Sequence, residues 1–306
     1  IAGATLADGR RMGDVDVVRA RVAQCKVDIE RSRALLYATC AAFDEGRQTF
    51  GYIQPDRGPE MIELAKSLAP MIKPQLAFFE QFGPDGYALA QRICAAGKAA
   101  GLVVMLDAKR GDIGSTAEAY ARACLGPPPA FDADAVTINA YLGRDSIEPF
   151  QELAEQRHKG IALLVRTSNP GAQDLQDLKV YGRPLWEAVA QMISPEAFRL
   201  QGESGWSGMM AVAGATYPME AQRLRGMLPK SLFLVPGYGA QGAGARAAMA
   251  GFVQSKYGLE GGFVSSSRAI LYPGAAGSAA SLPAWREAIK AAINTAIMDL
   301  RSVEVV

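Results

Sequence analysis

Histidine occurs once in the 306 residues, as His158. A single histidine excludes a multi-histidine metal centre and argues against a Ser-His-Asp triad. His158 follows Gln156 and Arg157 on a polar helical stretch and reads as a solvated surface residue. Cysteine is scarce too: Cys25, Cys40, Cys94 and Cys124 are scattered and form no CxxC pair. That usage fits a reducing compartment, with the thiols as small buried apolar side chains. Apolar runs of the roughly 18 to 20 residues that span a bilayer are missing, and no signal peptide is visible. A cytoplasmic protein that does not enter the membrane is expected. Excess charge is missing as well: 32 Lys and Arg against 31 Asp and Glu leave a net +1. That argues against a polyanion-binding surface, nucleic acid included, so any anion site must be local.

What is present is a globular composition, 49% hydrophobic and 21% charged. The length suits one large barrel or two ordinary domains. Residues 14–47 carry Val15, Val18, Val22, Val27, Ile29, Leu35 and Leu36 at helical spacing, which predicts helix. From residue 49 short apolar runs alternate with helical stretches, the pattern of βα units around a parallel sheet. Eight strands are predicted, at 49–53, 71–78, 102–107, 135–138, 161–166, 209–213, 232–235 and 262–265. Helices are predicted between them at 60–68, 87–99, 115–124, 147–156, 185–192, 219–227 and 243–254, with a last one at 284–300. Eight such units in about 250 residues match a (β/α)8 TIM barrel. The expected organisation is an N-terminal helical extension over residues 1–47, of unknown role, and a barrel over 48–306. A doubly wound open sheet fits less well, because no GxGxxG follows the first strand.

The third strand runs into Leu106-Asp107-Ala108-Lys109-Arg110-Gly111-Asp112-Ile113. In a barrel the C-terminal strand ends hold the active site. Asp107 and Lys109 are two residues apart, so on an extended chain they share a face. An acid and a base so placed are either a catalytic pair or a salt bridge at a strand end. Lys73 lies in Ile72-Lys73-Pro74-Gln75-Leu76 on the second strand. A lysine there is costly to bury without a carboxylate partner, and the alternative is a solvated edge position. Strand five ends in Thr167-Ser168-Asn169-Pro170-Gly171, which also suits a plain turn. Strand seven ends in Pro236-Gly237-Tyr238-Gly239-Ala240-Gln241-Gly242 and strand eight in Ser265-Ser266-Ser267-Arg268. The loops after strands seven and eight of TIM barrels often bind phosphate. Glycines let backbone N–H groups approach an anion, Arg268 offers a forked cation, and Gln241 can donate through its amide.

Asp107-Ala108-Lys109-Arg110-Gly111-Asp112-Ile113 resembles the signature of the orotidine 5'-phosphate decarboxylases, in their longer bacterial-type subgroup. Lys73-Pro74-Gln75-Leu76-Ala77-Phe78-Phe79-Glu80 is similar to the second-strand motif of that subgroup, and the three later strand-end segments match it in order. The resemblance covers roughly residues 58 to 300. It implies a (β/α)8 barrel that decarboxylates orotidine 5'-phosphate to UMP without a cofactor or metal, as a homodimer. It also implies roles. Lys109 would protonate C6 of the pyrimidine, and Asp107 would lie beside the scissile carboxylate. Lys73 would contact the ribose within an alternating Lys-Asp-Lys-Asp array. Asp112 would complete that array from the partner subunit, with Thr116 nearby. Ser168 would bond the pyrimidine, and Gln241 and Arg268 would hold the 5'-phosphate.

Two positions depart from the family pattern. The family ends its first strand in Gly-Leu-Asp-Pro, whereas Tyr52-Ile53-Gln54-Pro55 places Gln54 at the acid's position, with Asp56 two residues on. Ala140 stands where the family more often has proline. The competing enzyme reading is a sugar-phosphate decarboxylase or aldolase of the same superfamily, which would need a metal-binding acid. An inactive nucleotide-binding relative is the non-enzyme reading, and half of a bifunctional UMP synthase is the third.

Overall fold

Parallel strands in sequence order, separated by helices, make up most of the chain. The computed structural model describes residues 58–303 apart from 240, 257, 278 and 280. The predicted extension over 1–47, the predicted strand at 49–53, Gln54 and Asp56 lie outside the described residues. The chain divides into two units: residues up to Ile72 with Phe78–Val103, and Lys73–Ala77 with Val104–Val306.

In the first unit a helix over Gly58–Leu68 leads to strand β1, Met71–Ile72, and a second helix covers Gly83–Ala99. Ile62 and Ala65, three apart and so on one helix face, pack with Leu102 against Ile72 and Ala100. Gly86 must be glycine, because a Cβ there would lie 1.9 Å from the Phe79 carbonyl oxygen.

The second unit carries β2 (Val103–Arg110, in this unit from Val104), β3 (Ala135–Ile138) and β4 (Gly160–Arg166). A two-stranded hairpin of β5 (Lys179–Val180) and β6 (Arg183–Pro184) follows. Then come β7 (Ser207–Ala213) and β8 (Ser231–Val235). A second hairpin of β9 (Val253–Ser255) and β10 (Gly258–Glu260) precedes β11 (Gly262–Val264). The main sheet runs β2-β3-β4-β7-β8-β11, every pair parallel. Helices over Gly114–Leu125, Arg144–Gln156, Leu185–Ile193, Pro218–Met227 and Leu282–Arg301 follow β2, β3, β4, β7 and β11. This is the (β/α)8 arrangement. Its strands are apolar along their length because helices cover one face and the sheet interior the other. Val104, Leu106, Val136, Ile161, Leu163, Met209 and Phe233 are wholly buried.

Three expectations are corrected. The predicted strand at 71–78 is shorter, because Pro74 offers no N–H to a ladder and the chain is helical from Ala77 to Glu80. The predicted helix at 243–254 is confined to Ala245–Ala248. Gly251 lies against the Phe233 ring, and the hairpin begins at Val253. The two hairpins were not predicted at all. His158 is exposed, and Cys94 and Cys124 are buried. Among the described residues no helix is long and apolar enough to cross a membrane.

A buried cation closes the end of the sheet where β8 and β11 begin. Arg225 donates to the carbonyls of Leu228 (3.0 Å), Ser231 (2.7 Å), Gly251 (2.8 Å) and Gly261 (2.7 Å). Its guanidinium lies 3.8 Å from the Phe233 ring centroid. Burial among carbonyls pulls its pKa down to about 10.

Candidate active site

The opposite end of the sheet is shaped by an irregularity in β2. Met105 and Leu106 pair with Ala135 and Val136, but the next pair is Arg110 with Ile138. Between them β2 advances four residues while β3 advances two, so Asp107, Ala108 and Lys109 bulge from the ladder. Lys109 has φ +47°, a left-handed conformation that a lysine holds only when its surroundings impose it. The segment before Ala77 keeps contact with this bulge: Asp107 N–H donates to the Pro74 carbonyl, and Leu76 N–H donates to the Asp107 carbonyl at 3.1 Å.

Asp107 is the centre of the site and is 4% exposed. Its Oδ1 accepts from Lys109 Nζ at 2.5 Å and from Thr137 Oγ1 at 2.9 Å. Its Oδ2 accepts from Lys73 Nζ and from Gln75 Nε2, the latter at 3.3 Å. Burial by itself would raise the Asp107 pKa. The fields and hydrogen bonds of Lys73 and Lys109 outweigh it and hold the carboxyl below its ordinary range. Lys73 is enclosed, its side chain 17% exposed, whereas that of Lys109 is 44% exposed. Two ammonium groups against one carboxylate leave the array with a net positive charge, and its accessible end is Lys109. Such an array can receive an anionic substrate and stabilise negative charge that develops beside Lys109.

The other predicted residues fall into two groups. Ser168 and Gln241 converge on Gly237: the point a Cβ there would occupy lies 2.9 Å from Gln241 Oε1 and 3.5 Å from Ser168 Oγ. Gly237 has φ +103°, and any side chain would fill this space. Arg268 is exposed at the start of a short helix, Arg268–Leu271, and the next residue, Ala269, lies 3.8 Å from the corresponding point on Gly239. The loops after β8 and β11 are therefore neighbours. Asp112 and Thr116 do not join the array within one chain. Asp112 Oδ1 accepts the Ile113 N–H at 2.8 Å, and Thr116 is exposed on the first turn of the helix Gly114–Leu125.

Residues 40–279 match the model of the orotidine 5'-phosphate decarboxylase / HUMPS family. The chain belongs to this family. A decarboxylase-family relative from Rhodopirellula baltica, named orotidine 5'-phosphate decarboxylase, is 42% identical across 76% of this chain and 78% of that protein. The solved Leishmania donovani OMP decarboxylase superposes with a TM-score of 0.63 at 31% identity, covering 84% of this chain and 91% of that one. The Leishmania donovani UMP synthase superposes with a TM-score of 0.62 at 34% identity, and this chain spans 50% of that longer protein.

Three buried or part-buried polar residues at these strand ends were given no role from sequence. Gln75 lies within Lys73–Glu80, where a neutral amide does not stand out beside Lys73. Thr137 is hidden in the apolar run Ala135-Val136-Thr137-Ile138, where a β-branched residue reads as strand former. Arg166 ends β4 at 2% exposure and stacks 3.7 Å from the Tyr217 ring. It pairs with Asp177 at 2.8 Å and Glu220 at 3.5 Å, which ties the segment carrying Ser168 to the loop after β7. The detectable signal was a charge at the end of an otherwise apolar strand.

Proposed function

We propose that this chain converts orotidine 5'-phosphate to UMP and CO2 as a cytoplasmic homodimer of de novo pyrimidine biosynthesis, needing no cofactor. The observation that carries the reading is Asp107, buried between Lys73 and Lys109 on the bulge of β2, in a chain 42% identical to a relative of that name.

The chemistry follows from the charges. Cleavage of the C6–carboxyl bond releases CO2 and leaves the electron pair on C6, in the plane of the ring, where the ring delocalises it poorly. Lys109 is the accessible cation of the array. Its ammonium stabilises that charge as it develops and then transfers a proton to C6, giving UMP and a neutral amine. Asp107 lies against the departing carboxylate, and their repulsion favours its loss. Lys73 holds Asp107 ionised and faces the ribose. Asp112 of the partner subunit offsets the array's remaining positive charge, with Thr116 of the partner subunit beside it. Ser168 donates to the pyrimidine, and Gln241 and Arg268 bind the 5'-phosphate, whose binding energy is used at the reacting carbon. Purified protein mixed with orotidine 5'-phosphate should form UMP at a rate that Lys109→Ala abolishes. No UMP from the wild type would refute the reading.

A further inference from the structure

We infer that Thr137 is a positioning residue for this reaction: its hydroxyl orients the Asp107 carboxylate and holds the backbone conformation from which Lys109 acts. The inference rests on the function proposed above. Thr137 is 1% exposed on β3, flanked by Val136 and Ile138. A hydroxyl so buried has to find partners, and both of its partners belong to the β2 bulge. The direction of the bonds is fixed by chemistry. Lys109 N–H can only donate, so Thr137 Oγ1 accepts from it at 2.9 Å. The single hydroxyl proton is then left for Asp107 Oδ1, also at 2.9 Å.

Asp107 has three other donors, Lys73, Gln75 and Lys109, and each reaches it at the end of a long, rotatable side chain. Thr137 is different. Its side chain is short and stiff about χ1, and its strand is buried along its whole length. It is the rigid reference against which the carboxylate is set. The same oxygen captures the N–H of the residue at φ +47°, so one atom ties the acid to the backbone of the proton donor.

Thr137→Val removes the hydroxyl at nearly constant shape, and Thr137→Ser retains it. A misplacement of about 1 Å in a reacting group costs on the order of 100-fold in rate, so kcat for orotidine 5'-phosphate should fall by about that factor in Thr137→Val. UMP lacks the C6 carboxylate and should bind Thr137→Val within roughly threefold of wild type, since only transition-state interactions are lost. Thr137→Ser should recover most of the turnover. Thr137→Ala removes the hydroxyl without crowding the bulge, and should show the same split should Thr137→Val not fold. Unchanged turnover in the hydroxyl-free variant would overturn the inference. So would an equal loss of UMP binding, which marks a merely structural role, or no recovery in Thr137→Ser. A wild type that forms no UMP would instead overturn the proposed function, and this inference with it.

Discussion

Replacing Asp107 by asparagine probes the electrostatics on which the site is built. In Asp107→Asn neither Lys73 nor Lys109 finds an anion, while the shape of the side chain is kept. Lys73 bears most of the cost, because its side chain is 17% exposed and recovers little hydration. Lys109, at 44% exposure, regains water, and its share is discounted accordingly. A charge-assisted hydrogen bond contributes about 1.5–3 kcal/mol, and leaving a buried charge unpaired costs about 3–5 kcal/mol. With Lys73 partly hydrated, unfolding free energy at pH 7 should fall by about 3 kcal/mol. For an m-value of about 3 kcal/mol per molar urea, the denaturation midpoint should drop by about 1 M. The pH dependence supplies a second signature. Burial opposes ionisation of Asp107, but the two lysines overcome it and leave the folded pKa below the unfolded one. The stabilisation is therefore present in full above the unfolded pKa, about 3.9. It is lost as pH falls through the lower, folded value. Urea curves for wild type and Asp107→Asn should differ by a constant amount between pH 7 and 5 and converge in more acid solution. Equal midpoints at pH 7, or a difference that does not shrink as pH falls below the unfolded pKa, would refute the reasoning.

Phosphate recognition is tested by Arg268→Ala, which should weaken UMP binding by about 2 kcal/mol, the loss of one charge-assisted contact; calorimetry should find uridine affinity far less affected, and equal losses for both ligands would remove Arg268 from the phosphate site. Sharing of the site between subunits is tested by mixing Lys109→Ala with Asp112→Ala after dissociation and reassociation. One site in each heterodimer then holds both residues, so about a quarter of wild-type activity should return for a two-fold dimer. No recovery with heterodimers present would mean that Asp112 serves its own chain.

The strands were legible wherever both faces are buried. Residues 135–138 match β3, and 161–166 and 209–213 fall within one or two residues of β4 and β7, because a buried parallel strand writes itself as an uninterrupted apolar run. The hairpins were missed because their signal is backbone conformation rather than hydrophobicity. Tyr181 and Gly182 form the two-residue connection between β5 and β6, both at positive φ (51° and 78°), as such turns require. The helix expected at 243–254 is cut short by the ring packed against Gly251, a contact that the local sequence does not declare. At the site, Lys73, Asp107 and Lys109 could be placed together because charges stand out in apolar strands. Thr137 could not, since its role arises from the two-residue bulge of β2 against β3, a register that neither strand declares alone. Asp112 was legible as part of a motif, and Thr116 only as its neighbour, yet one chain leaves both outside the array.

In the proposed reaction Lys109 delivers the proton that completes decarboxylation. The most direct test compares wild type and Lys109→Ala under saturating orotidine 5'-phosphate, following UMP formation, with UMP binding measured on both proteins. Wild type should form UMP, whereas Lys109→Ala should lose turnover by about two to four orders of magnitude, the scale assigned to general acid catalysis, while still binding UMP. Comparable UMP formation by Lys109→Ala would contradict that role.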